Sequence, residues 1–232
     1  PKPDAYIGAE DMFTEHTDPS RLEGQVRIIP DDEADRIRDL TESEDLPSYY
    51  CEVEKSLRDA VLDFVLSGCC RIERGHTEFH HSMLVHVHHM TDVQARLFEK
   101  VNKMWETMKN YLRFTTISNE VIEDLEERWK LHFHNRDEKT TEEWEDIKKH
   151  LVTFTDTVEV REINSSNKEA DLDYHNHPKG LKVIAIGGNK LSRGLTLEGL
   201  TVSYFGRPTQ MYDSLLQMGR WFGYRPGYKD LV

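Results

Sequence analysis

Two stretches near the end of this 232-residue chain combine residue types that bind anions. Residues 217–225 read Gln-Met-Gly-Arg-Trp-Phe-Gly-Tyr-Arg. Arg220 and Arg225 carry permanent charge on planar forks that match phosphate oxygens. Gln217 adds a neutral polar group, and Gly219 frees the backbone between them. Residues 187–197 read Gly-Gly-Asn-Lys-Leu-Ser-Arg-Gly-Leu-Thr-Leu. Its glycines let backbone N–H groups come close to an anion, and Lys190 and Arg193 add charge. For one such stretch the plainer reading is preferable: Arg220 pairs with Asp213 or Glu198, and the aromatics are core. Two stretches in succession shift the balance towards an anion site.

The elements around them are strands and helices in alternation. Residues 182–186 (KVIAI) and 200–205 (LTVSYF) are short apolar runs that read as strands; the first ends where the 187–197 stretch begins, and the second precedes the segment that leads to 217–225. Ser82–His88 reads as another buried strand, and residues 153–163 as a fourth. Thr209–Met218 is expected to be a helix carrying Met211, Leu215, Leu216 and Met218 towards a core. Further helices are expected from Asp31–Asp32 to about Thr41, from Pro47 to about Cys70, from Thr91 to about Leu112, and twice within 118–150. Thr140–Glu143 resembles a capping box. Gly24–Ile29 is the one strand expected near the start. This alternation predicts an α/β fold with a mostly parallel sheet, whose ligands bind beyond the carboxyl ends of the strands. The helices before residue 75 and those within about 113–150 read as additions. The expected division is therefore 1–75, a loop-rich and helical extension, and 76–232, the sheet-bearing domain.

Charge is distributed unevenly. The net charge is -13, which argues against a broadly basic nucleic-acid surface. Yet from Lys179 onward eight Lys/Arg stand against three Asp/Glu. A basic island in an acidic chain calls for an anionic partner: phosphate, nucleotide or nucleic-acid backbone. No run of about 18 apolar residues exists, so no membrane span is expected. The start, PKPDAYIGAEDMF, does not read as a signal peptide. The three cysteines, Cys51, Cys69 and Cys70, suit a reduced state, and a cytoplasmic location is expected.

The order of these segments resembles the second RecA-like lobe of superfamily-two helicases. Arg193-Gly194-Leu195-Thr196-Leu197 is similar to motif V of that lobe, and Gln217-Met218-Gly219-Arg220 with Gly223-Tyr224-Arg225 to motif VI. Here one residue separates Gln217 from Gly219, and the arginines lie five apart. Those departures match a narrower family. SRGLTLEGLTVSYF followed by MYDSLLQMGRWFGYRPGY closely resembles the Z1 domain of prokaryotic helicase-like ATPases. These are often encoded near restriction and modification genes and are sometimes labelled endonucleases. SMLVHV followed by TDVQ, and YIGAEDMF, resemble other parts of that family.

The resemblance implies a RecA-like lobe of a DNA-dependent ATPase using ATP and Mg2+. It gives Arg220 and Arg225 the role of arginine fingers, with Gln217 in support. Gly194, Thr196 and Gly219 would lie against nucleotide, and Lys190, Ser192 and Arg193 against nucleic acid. No Gly-x-x-x-x-Gly-Lys-Ser/Thr phosphate loop occurs in the chain. The expectation is thus a fragment whose partners are DNA and a missing first ATPase lobe of the same protein, inactive by itself.

Two other readings compete. The family label suggests a metal-dependent endonuclease, for which Glu169, Asp171 and Asp173 beside Lys168 and Lys179 are the nearest candidates. A non-catalytic interaction module would use the charged helices within 118–150. His76, His80, His81, His86, His88 and His89 could suggest a metal, as could His175 and His177, but a strand flanked by polar histidines is the better reading and no metal is assigned.

Overall fold

The computed structural model describes residues 27–38, 53–76, 78–87, 90–114, 120–134, 140–163, 172–188, 197–206, 227 and 229–231. Its centre is a four-stranded sheet of β1 (His81–His86), β2 (Val158–Ile163), β3 (Lys182–Gly187) and β4 (Leu200–Phe205). The order is β2-β3-β1-β4, and every pairing is parallel. β1 and β3 are buried along their whole length. Strands covered on both faces of a parallel sheet read as continuous apolar runs, which is why SMLVHV and KVIAI stood out.

The described helices are α1 (Asp31–Arg38), α2 (Lys55–Glu73), α3 (Thr91–Phe114), α4 (Glu120–Arg128), α5 (Trp144–Lys148) and α6 (Leu151–Asp156), and helices cover the face of the sheet that carries His81. α2 packs on β1 and β4, α3 on β2 and β3, and α6 touches both helices. From Val61 to Arg71 every residue of α2 is buried, so it is a central helix rather than an addition to the sheet. On this face His81 meets Phe64 of α2 and Phe154 of α6, with ring centroids 4.6 and 5.3 Å away. The Ser56 and Tyr204 hydroxyls join α2 to β4 at 2.8 Å. The opposite face receives Tyr174, whose hydroxyl lies 3.0 Å from that of Ser82. One hydrophobic cluster runs from Ile37 through α2, the sheet and α3–α6 to Leu231.

Several expectations change. Of the strand expected at Gly24–Ile29, the described residues Arg27–Ile29 are not in a strand, and Ile28 is 64% exposed. The helix expected from Pro47 begins at Lys55, after Glu54 in extended geometry, and runs on to Glu73. The strand expected from residue 153 begins at Val158, because Leu151–Asp156 is helical. Leu151 and Phe154 bury one side of that turn, and the Thr155 hydroxyl donates to the Leu151 carbonyl at 2.8 Å. The capping box at Thr140 does not form. α5 starts at Trp144 without a side-chain cap, and Thr140 turns its hydroxyl to Asp230 instead. α4 continues into a π-helical turn, Trp129–Phe133, which stacks the Trp129 and Phe133 rings 5.6 Å apart. The helix expected at Thr209–Met218 lies outside the described residues. No helix among the described residues is long and apolar enough to cross a membrane.

Candidate functional site

The nine residues singled out from the sequence, namely Arg220, Arg225, Gln217, Gly194, Thr196, Gly219, Lys190, Ser192 and Arg193, all lie outside the described residues. What is described is the frame on either side of them. The first stretch begins at Gly187, the last residue of β3, and the chain is described through Gly188 and again from Leu197. The second, residues 217–225, lies between Gly206, which follows β4, and Gly227. β3 and β4 flank β1, so the connections that lead into both stretches leave carboxyl ends on the two sides of one central strand. At that edge the His86 and Phe205 rings stack, with centroids 5.1 Å apart and planes 13° apart. The Gly206 N–H donates to the His86 carbonyl at 3.1 Å.

Described residues that follow each stretch, Gly199 and Gly227, lie near the amino edge of the sheet, beside the segment that leads into β1. Gly199 has φ 66°, and a Cβ there would sit 1.9 Å from the His80 carbonyl oxygen. Only glycine serves at that close approach. Gly227 packs on the His76 ring, 3.4 Å from Nε2 to the place a Cβ would take. Arg71 spans the two contact points: Nε donates to His76 Nδ1 at 3.4 Å and Nη1 to the His80 carbonyl at 2.8 Å.

Positive charge is concentrated here. Arg71 is 5% exposed and Lys182 8% exposed. The guanidinium carbon lies 4.0 Å, and the Lys182 ammonium 4.7 Å, from the centre of the Phe79 ring. Such cation–π contacts hold charge where water is scarce. Lys182 donates to the carbonyls of Lys179 and Gly180 at 2.9 and 3.3 Å. Burial, and then Arg71, push its pKa below the ordinary value. Fully buried His81 lies well below its ordinary range for the same two reasons. Its Nδ1 accepts from Arg71 at 3.2 Å, so Nε2 carries the proton and donates to the Phe64 carbonyl at 3.0 Å. The arrangement supplies a fixed positive potential, not a nucleophile or a proton shuttle.

Beside it, His80 Nδ1 accepts the Leu181 N–H at 2.9 Å and Nε2 stands 3.8 Å from the Glu198 carboxylate. Ser82 donates to the Glu198 carbonyl at 2.7 Å. Thus His76, His80 and His81 are engaged by backbone, Arg71 and Glu198 rather than turned to a common point. His88 and His89 lie outside the described residues. Among the described residues no group of three His, Cys, Asp or Glu could hold a metal. Of the acids considered for a nuclease, Asp173 accepts from the Asn176 backbone at 3.3 Å as the cap of a short 3-10 turn. Glu169, Asp171 and Lys168 lie outside the described residues.

With this frame in place, comparison with known families is informative. The Z1 domain model matches residues 56–232, from the second residue of α2 to the end. The chain belongs to the Z1 domain family. No curated protein and no solved structure matches it. The match takes in α2, the whole sheet and both glycine- and arginine-bearing stretches.

In this Z1 domain a second polar cluster lies at the end of α2, and sequence reasoning missed it. Arg74 grips Asp230 with Nη1 at 2.9 Å and Nη2 at 2.6 Å. It grips Glu142 with Nε at 2.6 Å and Nη2 at 3.3 Å. Nη1 also reaches the Gly227 carbonyl at 3.3 Å. Thr140 donates to Asp230 at 2.5 Å. Burial raises the Asp230 and Glu142 pKa values, but the hydrogen bonds from Arg74 outweigh it and hold both below the ordinary range. The acids, like the arginine, are therefore charged. Cys69 and Cys70, one turn earlier, are free and buried, and burial pushes both thiols up, so neither is poised as a nucleophile.

Proposed function

We propose that this Z1 domain is the second, RecA-like lobe of a helicase-like, DNA-dependent ATPase. The observation that carries the reading is the framing of the two arginine-bearing stretches by β3 and β4, on either side of β1 in a wholly parallel sheet. Ligands of parallel sheets gather where strand connections diverge in this way.

In this reading Arg220 and Arg225 reach the transferred phosphoryl group of ATP, and Gln217 supports them. Mg2+ and the phosphate loop belong to a first lobe, because the chain contains no phosphate-loop motif. Gly194, Thr196 and Gly219 line the nucleotide; Lys190, Ser192 and Arg193 contact DNA. A DNA restriction or phage-defence setting is the proposed context.

The test compares DNA-stimulated ATP hydrolysis by the full-length protein with that of its Arg220→Ala and Arg225→Ala variants. An arginine finger contributes about 10³–10⁵ in rate. At least one variant should therefore lose nearly all turnover while keeping its thermal transition. Full turnover in both variants would reject the finger role.

A further inference from the structure

The amino end of α2 lies at the carboxyl edge of the sheet, and α1 sits on it. The Ser56 hydroxyl meets that of Tyr204, near the carboxyl end of β4, at 2.8 Å. The Ser56 N–H, in the first turn of α2, donates to the Glu33 carboxylate of α1 at 2.9 Å. We propose that α1 is an autoinhibitory cover, whose acids oppose nucleotide at the carboxyl edge until the helix undocks. The inference rests on the ATPase-lobe reading.

Three observations carry it. The first is place. α2 runs back across the sheet. Its far end reaches the His80 carbonyl through Arg71, at the amino edge, so Ser56 beside Tyr204 marks the carboxyl edge. Ligands of a parallel sheet gather outside that edge.

The second is charge. The first turn of α1 carries Asp31, Asp32 and Glu33, and Glu54 stands just before α2. Arg36 answers two of these four acids: Nη1 donates to Asp32, and Nε and Nη2 to Glu54, each at 2.9 Å. Burial raises the Tyr204 pKa against the hydrogen bond from Ser56, and the charges of Glu33 and Glu54 raise it further. The end of β4 therefore stands in their negative field. A triphosphate brought to this edge is repelled by it.

The third is reversibility. α1 has eight residues, too few to hold as a helix by itself. Ile37, 2% exposed, joins the core. The pairs of Arg36 lie at the surface, where such contacts contribute little. α1 also stands outside the residues that match the Z1 model, which begin at Ser56. The cover is thus an addition docked on the first residue of the matched domain. Segments with so few buried contacts open more readily than the core.

The experiment uses the full-length protein with saturating DNA. ATP hydrolysis is followed against ATP concentration, at low and at high salt, for wild type, Glu33→Gln and Ile37→Ala. Glu33→Gln removes one charge and keeps the side-chain size. Ile37→Ala loosens α1 and leaves every charge in place. Hydrogen exchange at the Ser56 amide is measured in parallel, with β1 and β3 amides as the check on folding.

In both variants Ser56 should exchange faster while β1 and β3 stay protected. KM for ATP should fall about threefold or more with kcat held within about twofold, because apparent affinity follows the fraction of molecules that are open. High salt should narrow the gap between wild type and Glu33→Gln. Faster exchange at Ser56 with KM unchanged or raised would overturn the cover and leave α1 a support. Unchanged exchange in both variants would overturn the contact on which the cover rests. Absence of ATP hydrolysis by the wild type would reject the ATPase reading itself, and the cover with it.

Discussion

His81 shows how one side chain takes its properties from its surroundings. Burial beside Arg71 keeps it neutral, and the neutral ring then has one acceptor for Arg71 and one donor for Phe64. His132 is likewise depressed, to about 4, by burial and then by Arg27 and Arg128. Both are bases whose folded pKa lies below the unfolded value of 6.5. Between those values the unfolded chain binds more protons, so their contribution is complete above about pH 6.5 and is lost as pH falls below it. Asp230 and Glu142 are depressed acids. Their contribution is present above the unfolded carboxylate value and disappears only as pH falls through the lower, folded one. Urea midpoints should therefore decline from pH 6.5 towards 4.5, and His132→Gln should flatten that decline without abolishing it. A midpoint constant over this range would contradict the assignment. None of these four roles was legible in the sequence. His81 touches Thr201, and Asp230 touches Arg74 and Thr140, at separations of 120, 156 and 90 residues, so no local spacing announced them.

At the scale of elements, the join between α2 and α6 turns on one missing side chain. A Cβ at Gly68 would lie 2.1 Å from the tip of the Phe154 ring. Replacing a mid-helix glycine by alanine ordinarily stabilises by about 1 kcal/mol. Here the ring is fully buried between α2 and the sheet and has no space to retreat. Overpacking, at about 1–3 kcal/mol, should win. Gly68→Ala is expected to lower the denaturation midpoint, and Phe154→Leu in the same chain should recover part of the loss. A stabilised single variant would show that the ring moves easily.

The same junction explains the main misreading of an element. VTFTDTVEV has the β-branched composition of a strand, but Phe154 packs on Phe64 and Gly68 of α2, and that packing favours a helix in the first half. Composition could not reveal it, because Gly68 lies more than 80 residues earlier. β1, β3, β4 and α3 were readable because each is a long apolar run or a regular stripe. Their parallel pairing followed from the alternation of strands and helices. The residues singled out in the two arginine-bearing stretches lie outside the described residues, so their chemistry rests on the sequence alone.

Across the whole molecule, the hydrophobic cluster does not respect the boundary that the sequence suggested near residue 75. Leu57, Phe64, Leu66 and Cys69 of α2 lie in the same core as β1, β3 and β4. A chain beginning at His76 would expose the underside of the sheet where α2 lies and lose Arg71 and Arg74 together. Such a chain should show no cooperative thermal transition, whereas residues 27–232 should unfold in one step by circular dichroism and by tryptophan fluorescence alike. A stable, cooperative 76–232 protein would restore the suggested boundary.

The central place of β1 has a further consequence, during synthesis. Its two neighbours in the sheet are β3 and β4, and the contact from His80 to Leu181 already spans 101 residues. A ribosome adds about 5–20 residues per second, so an apolar strand made early waits on the order of 5–20 seconds before either neighbour exists. During that interval Ser82–Val87 is an unpaired β-forming segment, the kind that joins other chains. α2, made just before it and already able to cover one face, is the natural chaperone of this strand, supplied by the chain itself.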